Sequence, residues 1–232
     1  KKGYFGNVEA GGSLEEYYNA EAKLYRFSKK TQIAVLGMYN NINKFGYSSK
    51  GHSMWGHKVN GLNTTLAGGF NLSYNPKAKN RYFISYLASK TKKDLIQNST
   101  SENFLSAATY CQDVDRNEDE DDVPHIVNFG VRHQFSKNSK LTIDGDLDIS
   151  STDNFENTIT QTSLNDSVNL NMLNRVKNDF SEVLDASVEA VYIQKLNDEK
   201  TQIKANFDAS YNRNISELDW ENKTTVYTPD SY

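Results

Sequence analysis

The stretch that decides the fold is LTIDGDLDIS, from Leu141 to Ser150. Its odd-numbered positions are apolar or glycine, and its even-numbered positions are polar, with Asp144, Asp146 and Asp148 among them. Successive side chains of a β-strand point to opposite faces, so this alternation predicts a strand with one apolar face and one acidic face. The function of the chain depends on whether the apolar face contacts a protein core, a partner or lipid.

The same alternation recurs along the chain, whereas strong helical patterns are almost absent. It predicts an all-β fold, an antiparallel up-and-down meander of about ten strands. One run, 168–195, keeps a single register far beyond the usual strand length, and we interpret it as one strand rather than two strands broken near Lys177–Ser181. The predicted strands are 3–12, 17–27, 32–43, 61–74, 81–90, 125–135, 141–150, 168–195, 201–213 and 220–227.

Two kinds of connection alternate between the predicted strands. The short kind is polar and lysine-bearing, at 28–31, 75–80, 136–140 and 197–200. The long kind covers 44–60, 91–124 and 151–166. Tight turns at one end of a sheet and long loops at the other are typical of an outer-membrane barrel, whereas a soluble sandwich more often mixes connection lengths at both ends.

Composition excludes several classes of protein. The 232 residues carry 26 Lys and Arg against 30 Asp and Glu, a net charge of −4 that gives no general footprint for nucleic acid. With 37% hydrophobic and 12% aromatic residues, the chain is too apolar for a disordered protein. Cys111 is the single cysteine, which fits a cytosolic protein and equally a bacterial surface protein without disulfides. We interpret the opening KKGYFG as a mature form or as part of a longer precursor.

The segment from Gly3 to Tyr47 adds a resemblance to a known family. It opens with a glycine-rich strand, GYFGNVEAGG, continues through a hairpin turn RFSKKTQ at Arg26–Gln32, and reaches NNIN at Asn40–Asn43 with Gly46 shortly after. These elements, in this order, resemble the opening of the barrel in Bacteroidota outer-membrane proteins of the TonB-dependent receptor type. Beyond this segment the likeness is architectural.

The resemblance implies that residues 1–232 are the N-terminal part of a transmembrane β-barrel in the bacterial outer membrane. Its first strand then rises from the periplasm, the short turns are periplasmic, and the long connections lie outside the cell. The apolar face of 141–150 contacts outer-membrane lipid, while Asp144, Asp146 and Asp148 face the lumen or a plug. The implied partners are a plug domain and a TonB-type energising complex, reached through an N-terminal part that this sequence lacks, and a surface lipoprotein.

An acidic run, DVDRNEDEDD at 113–122, suggests a calcium loop because oxygen ligands recur at alternate positions. Two departures weaken this hypothesis: Glu118 stands where an EF-hand turn needs glycine, and Pro124 where a bidentate glutamate belongs. A solvated acidic loop is the favoured interpretation, and a Ca²⁺ site the alternative. The candidate metal ligands are Asp113, Asp115, Asn117, Asp119 and Asp121.

A second candidate site, GHSMWGH at 51–57, falls in a predicted outer loop. We predict that His52, Trp55 and His57 bind ligand, because imidazoles beside Met54 suit copper and an aromatic ring can stack on a sugar or a haem. Outer loops are also where binding residues concentrate. The alternative is ordinary polar surface.

Three functional hypotheses remain open. The first is an uptake receptor, a passive wall through which a nutrient passes once an energised partner moves the plug. The second is a non-transporting surface barrel for adhesion or assembly, and the third is a soluble all-β binding module of a secreted protein. We expect no enzymatic activity, since no spacing of Ser, His, Asp or Cys marks a catalytic set. We expect lipid contact because small residues such as Gly145 and Ala186 would leave voids in a protein core.

Overall fold

The computed structural model describes residues 2–43, 48–49, 52–53, 62–105, 108–165, 168–196 and 201–227, and every regular element in them is a β-strand. The prediction of an all-β antiparallel meander is confirmed. None of the described residues forms a helix that is long and apolar enough to cross a membrane. The strands are β1 (Gly3–Gly12), β2 (Tyr18–Phe27), β3 (Thr31–Asn40), β4 (Ser48–Ser49), β5 (His52–Ser53), β6 (Leu62–Lys77), β7 (Asn80–Leu105), β8 (Ala108–Gln134), β9 (Ser139–Leu164), β10 (Val168–Lys195) and β11 (Gln202–Val226).

Nine of these strands form one sheet in the order β1-β2-β3-β6-β7-β8-β9-β10-β11, and β4 pairs separately with β5. Each strand is antiparallel to the strand before it in the sheet, and the substantial contacts between described strands join sheet neighbours alone. The described sheet is therefore a single layer. It is not closed, since β1 and β11 each have a neighbour on one side.

Strand length changes sharply along the sheet. Strands β1 to β3 have 10 residues each, whereas β7 to β11 have 25 to 28. The single strand predicted at 168–195 is confirmed as β10. Its register shifts once, between Asn169 and Asn171.

Three sequence-based expectations about where strands end are wrong, two of them about the long connections. Residues 91–124, predicted as a loop, belong almost entirely to β7 and β8, and residues 151–164 of the next predicted loop belong to β9. The two strands predicted at 201–213 and 220–227 are one strand, β11. The reason is that polar residues predominate on both faces of these segments, which removes a regular alternation while leaving the backbone free to pair with its neighbours.

The tight turns lie at one end of the sheet, which we call the turn end, as predicted. Neighbouring turns contact each other there: Asn75 N donates to Lys30 O at 2.6 Å, and Lys195 N donates to Asn138 O at 2.7 Å. The predicted turn at 197–200 lies outside the described residues, but the flanking Lys195 and Gln202 pair at this same end.

The two faces of the sheet differ in burial. We call the face that carries Leu141 and Ile149 the apolar face, and the face that carries Asp144 and Asp148 the polar face. A small buried cluster of Met38, Ala67 and Leu87, against which Leu36 and Ile126 pack, lies on the polar face. Because no described layer covers that face, this burial indicates that the sheet curves with its polar face on the inside.

The expectation of open gaps on the apolar face needs one correction. Gly145 pairs with Phe129, and the Phe129 ring lies where a side chain at Gly145 would be. A ring from the neighbouring strand therefore fills this small position. A Cβ atom at this position would force the Phe129 ring to move.

Candidate functional site

The apolar face carries a continuous band of uncharged side chains across the sheet. On each of six neighbouring strands, a segment of seven to nine residues presents only aliphatic, glycine, aromatic or histidine side chains to this face, at alternate positions. The register aligns these segments side by side. We call them the apolar band, which comprises alternate residues of 66–74, 82–88, 125–133, 141–149, 184–192 and 203–211.

The band ends at a charged limit on its far side. The next positions on the same face, moving away from the turns, include Lys90 on β7, Glu182 on β10 and Arg213 on β11. On β8 and β9 the first charges, Asp121 and Asp153, come one position later and pair with each other. All five long strands thus change from apolar to charged within a few residues of one another.

Both limits of the band follow the same slope as the turns. Thr31, the first residue of β3, pairs with Tyr74 on β6, which in turn pairs with Tyr82 on β7. Strand β7 begins at Asn80, so it extends two residues further towards the turn end than β3 does. A step of about two residues along the strand for every two strands across tilts the strands by about 35° from the perpendicular to the line of turns. The far limit shifts likewise, because Tyr211 on β11 shares its row with Phe70 rather than with Leu66.

Aromatic and histidine side chains mark the edges of the band. Near the turns, the Tyr82 Oη and His133 Nδ1 atoms are 2.5 Å apart, and Tyr74 stacks on Tyr82 with ring centroids 6.2 Å apart. Towards the far limit, the Tyr86 Oη and His125 Nδ1 atoms are 2.8 Å apart. Each of these rings has an apolar body and a polar tip, the combination that favours a boundary between water and hydrocarbon.

On the polar face, behind the band, lies an open acidic groove of about 600 Å³. Asp144, Asp146, Glu189 and Asp208 line it together with one cation, Arg132. The prediction that Asp144, Asp146 and Asp148 oppose the apolar residues of 141–150 is confirmed, because β9 keeps an unbroken register there. The groove presents water with a mostly negative surface.

Beyond the band, the polar face holds an ion-pair cluster. Lys93 Nζ lies 2.7 Å from Glu118 Oε1. Arg116 Nη2 lies between two carboxylates, 2.8 Å from Glu118 Oε2 and 2.7 Å from Glu156 Oε2. Glu118 is 5% exposed, and Glu120 Oε2 lies further away, 3.5 Å from Lys93. The cluster links β7, β8 and β9 above the level where the apolar face becomes charged.

The acidic run predicted as a loop lies within β8, which corrects that expectation. Because alternate residues of a strand point to one side, all five candidate metal ligands line the apolar face beyond the band, about 6.6 Å apart along the chain. An extended strand does not gather them around one ion, and the described residues contain no group of three His, Cys, Asp or Glu that could hold a metal. Each of the five pairs instead with a residue of β7 across the sheet: Asp113, Asp115, Asn117, Asp119 and Asp121.

Two of these aspartates have lysine partners on β7. Lys90 Nζ lies 2.9 Å from Asp121 Oδ2, and Lys92 Nζ lies 3.2 Å from Asp94 Oδ1 and 3.9 Å from Asp119 Oδ1. A hydrogen bond with Asp94 and partial desolvation raise the pKa of Asp119 above its usual range. The pKa of Lys92 is raised mainly by its hydrogen bond and charge interaction with Asp94.

The second predicted site is largely outside the described residues. The backbone of His52 belongs to β5 and pairs with Ser49, whereas Trp55 and His57 lie outside the described part of the chain. The ligand-binding role of His52, Trp55 and His57 stays a prediction.

Sequence reasoning missed the ion-pair cluster. Lys93 and Glu118 are 25 residues apart, and Arg116 and Glu156 are 40 apart, so no local spacing connects them. A signal was available nonetheless: pairing residues 91–105 with 108–122 as a hairpin places Lys92 opposite Asp121 and Lys93 opposite Glu120.

Comparison of the sequence with protein-family models and with curated proteins finds no match.

Proposed function

We propose that this chain forms part of the wall of a bacterial outer-membrane β-barrel, with the apolar band in contact with lipid and the polar face lining a lumen. The observation that supports this most strongly is the apolar band, whose two limits both run parallel to the line of turns. At about 3.3 Å per residue and a tilt of about 35°, its nine-residue segments span about 22 Å, close to the apolar height of about 25 Å in such barrels.

The open edges fit a larger barrel. Strands β1 and β11 run in the same direction, because an odd number of strands separates the two edges of the described sheet. Direct closure between them would be parallel, whereas barrels of this class are antiparallel and even-numbered. Further strands would complete the wall.

A soluble module accounts for the structure less well. Such a protein must cover its apolar face with another apolar layer about 10 Å away. Here Leu66, Phe207 and Tyr211 are each more than half exposed on the apolar face, and no described element packs against them. A contiguous exposed surface of this kind marks an interaction with a membrane or a partner.

The resemblance in residues 3–47 extends the proposal to uptake of a nutrient by a TonB-dependent receptor. In that arrangement the turn end is periplasmic, the charged upper parts of β7 to β11 project outside the cell, and the acidic groove faces a plug domain. The chain itself does no chemistry: it provides the wall, and a TonB-type complex moves the plug. A surface lipoprotein would contact the outer rim.

Fractionation tests the wall. We expect the complete gene product to sediment with outer membranes and to resist extraction by urea and alkaline carbonate. A freely soluble, folded protein would contradict the proposal and leave a secreted binding module.

Cross-linking tests the receptor role. A photo-activated residue in place of Asp146, on the polar face, is expected to capture a plug-type domain in the complete protein. The matched replacement of Leu147, on the apolar face, is expected to capture none. If Asp146 captures nothing in a membrane-embedded barrel, a non-transporting surface barrel is the better account.

A further inference from the structure

An apolar groove of about 380 Å³ runs along the first three strands. On the apolar face its walls are Tyr4, Leu24, Ile33 and Val35, with Arg26 at the end nearest the turn. Gly6 leaves the space open between Tyr4 and Val8, since a Cβ atom there would come within 2.8 Å of Leu24 Cδ2. The groove continues the apolar band towards the edge of the sheet.

Arg26 gives the groove one charged end. Among the apolar-face residues of β1 to β3, Arg26 is the only charged side chain. Its guanidinium carbon lies 5.8 Å from the centre of the Tyr4 ring, and its Nε atom is buried with no hydrogen-bond acceptor among the described residues. A guanidinium cannot lose its charge, so an unpaired buried N–H is costly unless an anion completes it.

The surrounding charge selects an anion with an apolar tail. The β2–β3 turn follows directly and carries two exposed lysines, Lys29 and Lys30. A phosphate can accept two parallel hydrogen bonds from an arginine, and its negative charge suits the lysines. Leu24, Ile33 and Val35 extend away from Arg26 and offer an acyl chain an apolar path.

We infer that this groove binds an anionic diacyl phospholipid, with its phosphate on Arg26 and one acyl chain along Leu24 and Val35. The inference rests on the proposed function, because it takes the apolar face to be the lipid-facing one. With the turns on the periplasmic side, the bound lipid belongs to the inner leaflet, where phosphatidylglycerol is the matching chemistry.

Native mass spectrometry of the complete protein, released from nanodiscs with equal amounts of phosphatidylglycerol and phosphatidylethanolamine, tests the inference. We expect the wild type to retain phosphatidylglycerol preferentially and Arg26→Gln to lose roughly tenfold of that preference, as expected for a lost charge-assisted hydrogen bond. Arg26→Lys, which keeps the charge but not the planar fork, should lose part of it.

Arg81→Gln is the matched control. Arg81 lies over the Phe83 ring at 5.5 Å, near the same turn end but on the polar face. Its loss should leave the preference unchanged. An unchanged preference in both Arg26 variants, or an equal loss in Arg81→Gln, overturns the inference. If the protein still fractionates with outer membranes in either case, the proposed function stands; if it is soluble, both fail.

Discussion

The long strands β7 to β11 have a lower part, between the turn end and the charged limit of the apolar band, and an upper part beyond that limit. The two parts share one backbone arrangement and differ in their side chains. In β9, residues 141–149 present an uncharged row to the apolar face, whereas residues 151–163 on that face include Asp153, Asn157 and Gln161. The same antiparallel ladder runs through both parts without a break in register. Backbone pairing therefore fixes the sheet, and the side chains alone decide which medium each level suits.

The two parts also hold their neighbours differently. On the apolar face of the lower part, side chains that face each other across strands are mostly aromatic and aliphatic, and polar groups meet at the edges of the band. In the upper part, ion pairs bridge strands on both faces, with Lys90–Asp121 on one and Lys93–Glu118 on the other. On the apolar face, a charge should thus be costly in the lower part and cheap in the upper part.

The largest expected effect tests that difference with one residue type on one strand. Val188 and Val176 both lie on the apolar face of β10, Val188 mid-band and Val176 beyond the charged limit. We expect Val188→Arg to lower the free energy of unfolding in lipid vesicles by about 2–4 kcal/mol, because an arginine at mid-bilayer is poorly solvated. Val176→Arg should change it by less than about 0.5 kcal/mol. Urea titration of the reconstituted protein measures both, and equal costs would remove the distinction between the two parts.

The next effect concerns the ion-pair cluster of the upper part. Glu118→Gln removes the charge that Lys93 and Arg116 share, and we expect it to cost about 1–3 kcal/mol because both cations are left partly buried. Glu120→Gln, at the more distant and more exposed partner of Lys93, is the control and should cost less than about 1 kcal/mol. Hydrogen exchange of β7 and β8 reports this locally. If Glu120→Gln proves as costly as Glu118→Gln, the cluster does not depend on the buried carboxylate.

Two adjacent glycines sharpen the contrast between the faces of the lower part. A Cβ atom at Gly69, on the polar face, would collide with the Tyr86 carbonyl and approach Leu87 Cα to 3.2 Å, whereas at Gly68, on the apolar face, it would lie 3.6 Å from Leu36 O. We expect Gly69→Ala to destabilise by about 1–2 kcal/mol through overpacking, and Gly68→Ala to be close to neutral. Thermal unfolding in detergent compares them. A neutral Gly69→Ala would mean that the polar face is not the crowded inner side.

The smallest effect is a pH dependence confined to the upper part. The pKa of Asp119 is raised in the folded protein, chiefly by its hydrogen bond with Asp94. A raised folded pKa stabilises the protein below the ordinary aspartate pKa, and this stability is lost as the pH rises through the raised value. Asp119→Asn should therefore flatten the decline in stability between about pH 4 and neutral pH. Urea titrations across that interval measure it, and identical slopes for wild type and variant would contradict the assignment.

The lower part could be predicted from the sequence because a strand with one apolar and one polar face requires alternation. The contrast of Leu141 with Asp144, the uninterrupted β10 and the clustering of turns beside Ser28 and Ser136 all follow from period two and turn chemistry. Apart from β10, whose alternation continues through Val176 and Met172, the upper part could not be predicted in that way. Where both faces meet water, Thr, Asn and Asp are frequent on both faces, and the same composition serves a loop and a strand.

The features of the candidate site likewise differ in whether the sequence could predict them. The opposition of acidic and apolar residues in 141–150 was accessible from the sequence, since it needs one strand alone. The ion pair of Arg116 with Glu156 could not be predicted, because it depends on the register between β8 and β9, which brings together two residues 40 positions apart in the chain. Burial of Asn63 and Asn128 on the polar face depends on sheet curvature, which no local pattern encodes.

A spin-label scan along β9 tests most directly that the apolar band faces lipid. Single cysteines at the odd positions from 143 to 163, with Cys111 replaced by serine, would be labelled in the complete protein reconstituted in vesicles. We predict that labels at Ile143 and Leu147 are relaxed by oxygen, that accessibility to a water-soluble nickel complex rises sharply beyond Ile149, and that labels at Phe155 and Ile159 are in water. A label at neighbouring Asp146 should be accessible from water throughout. Uniform accessibility to the nickel complex from Ile143 to Ile159 would contradict the account.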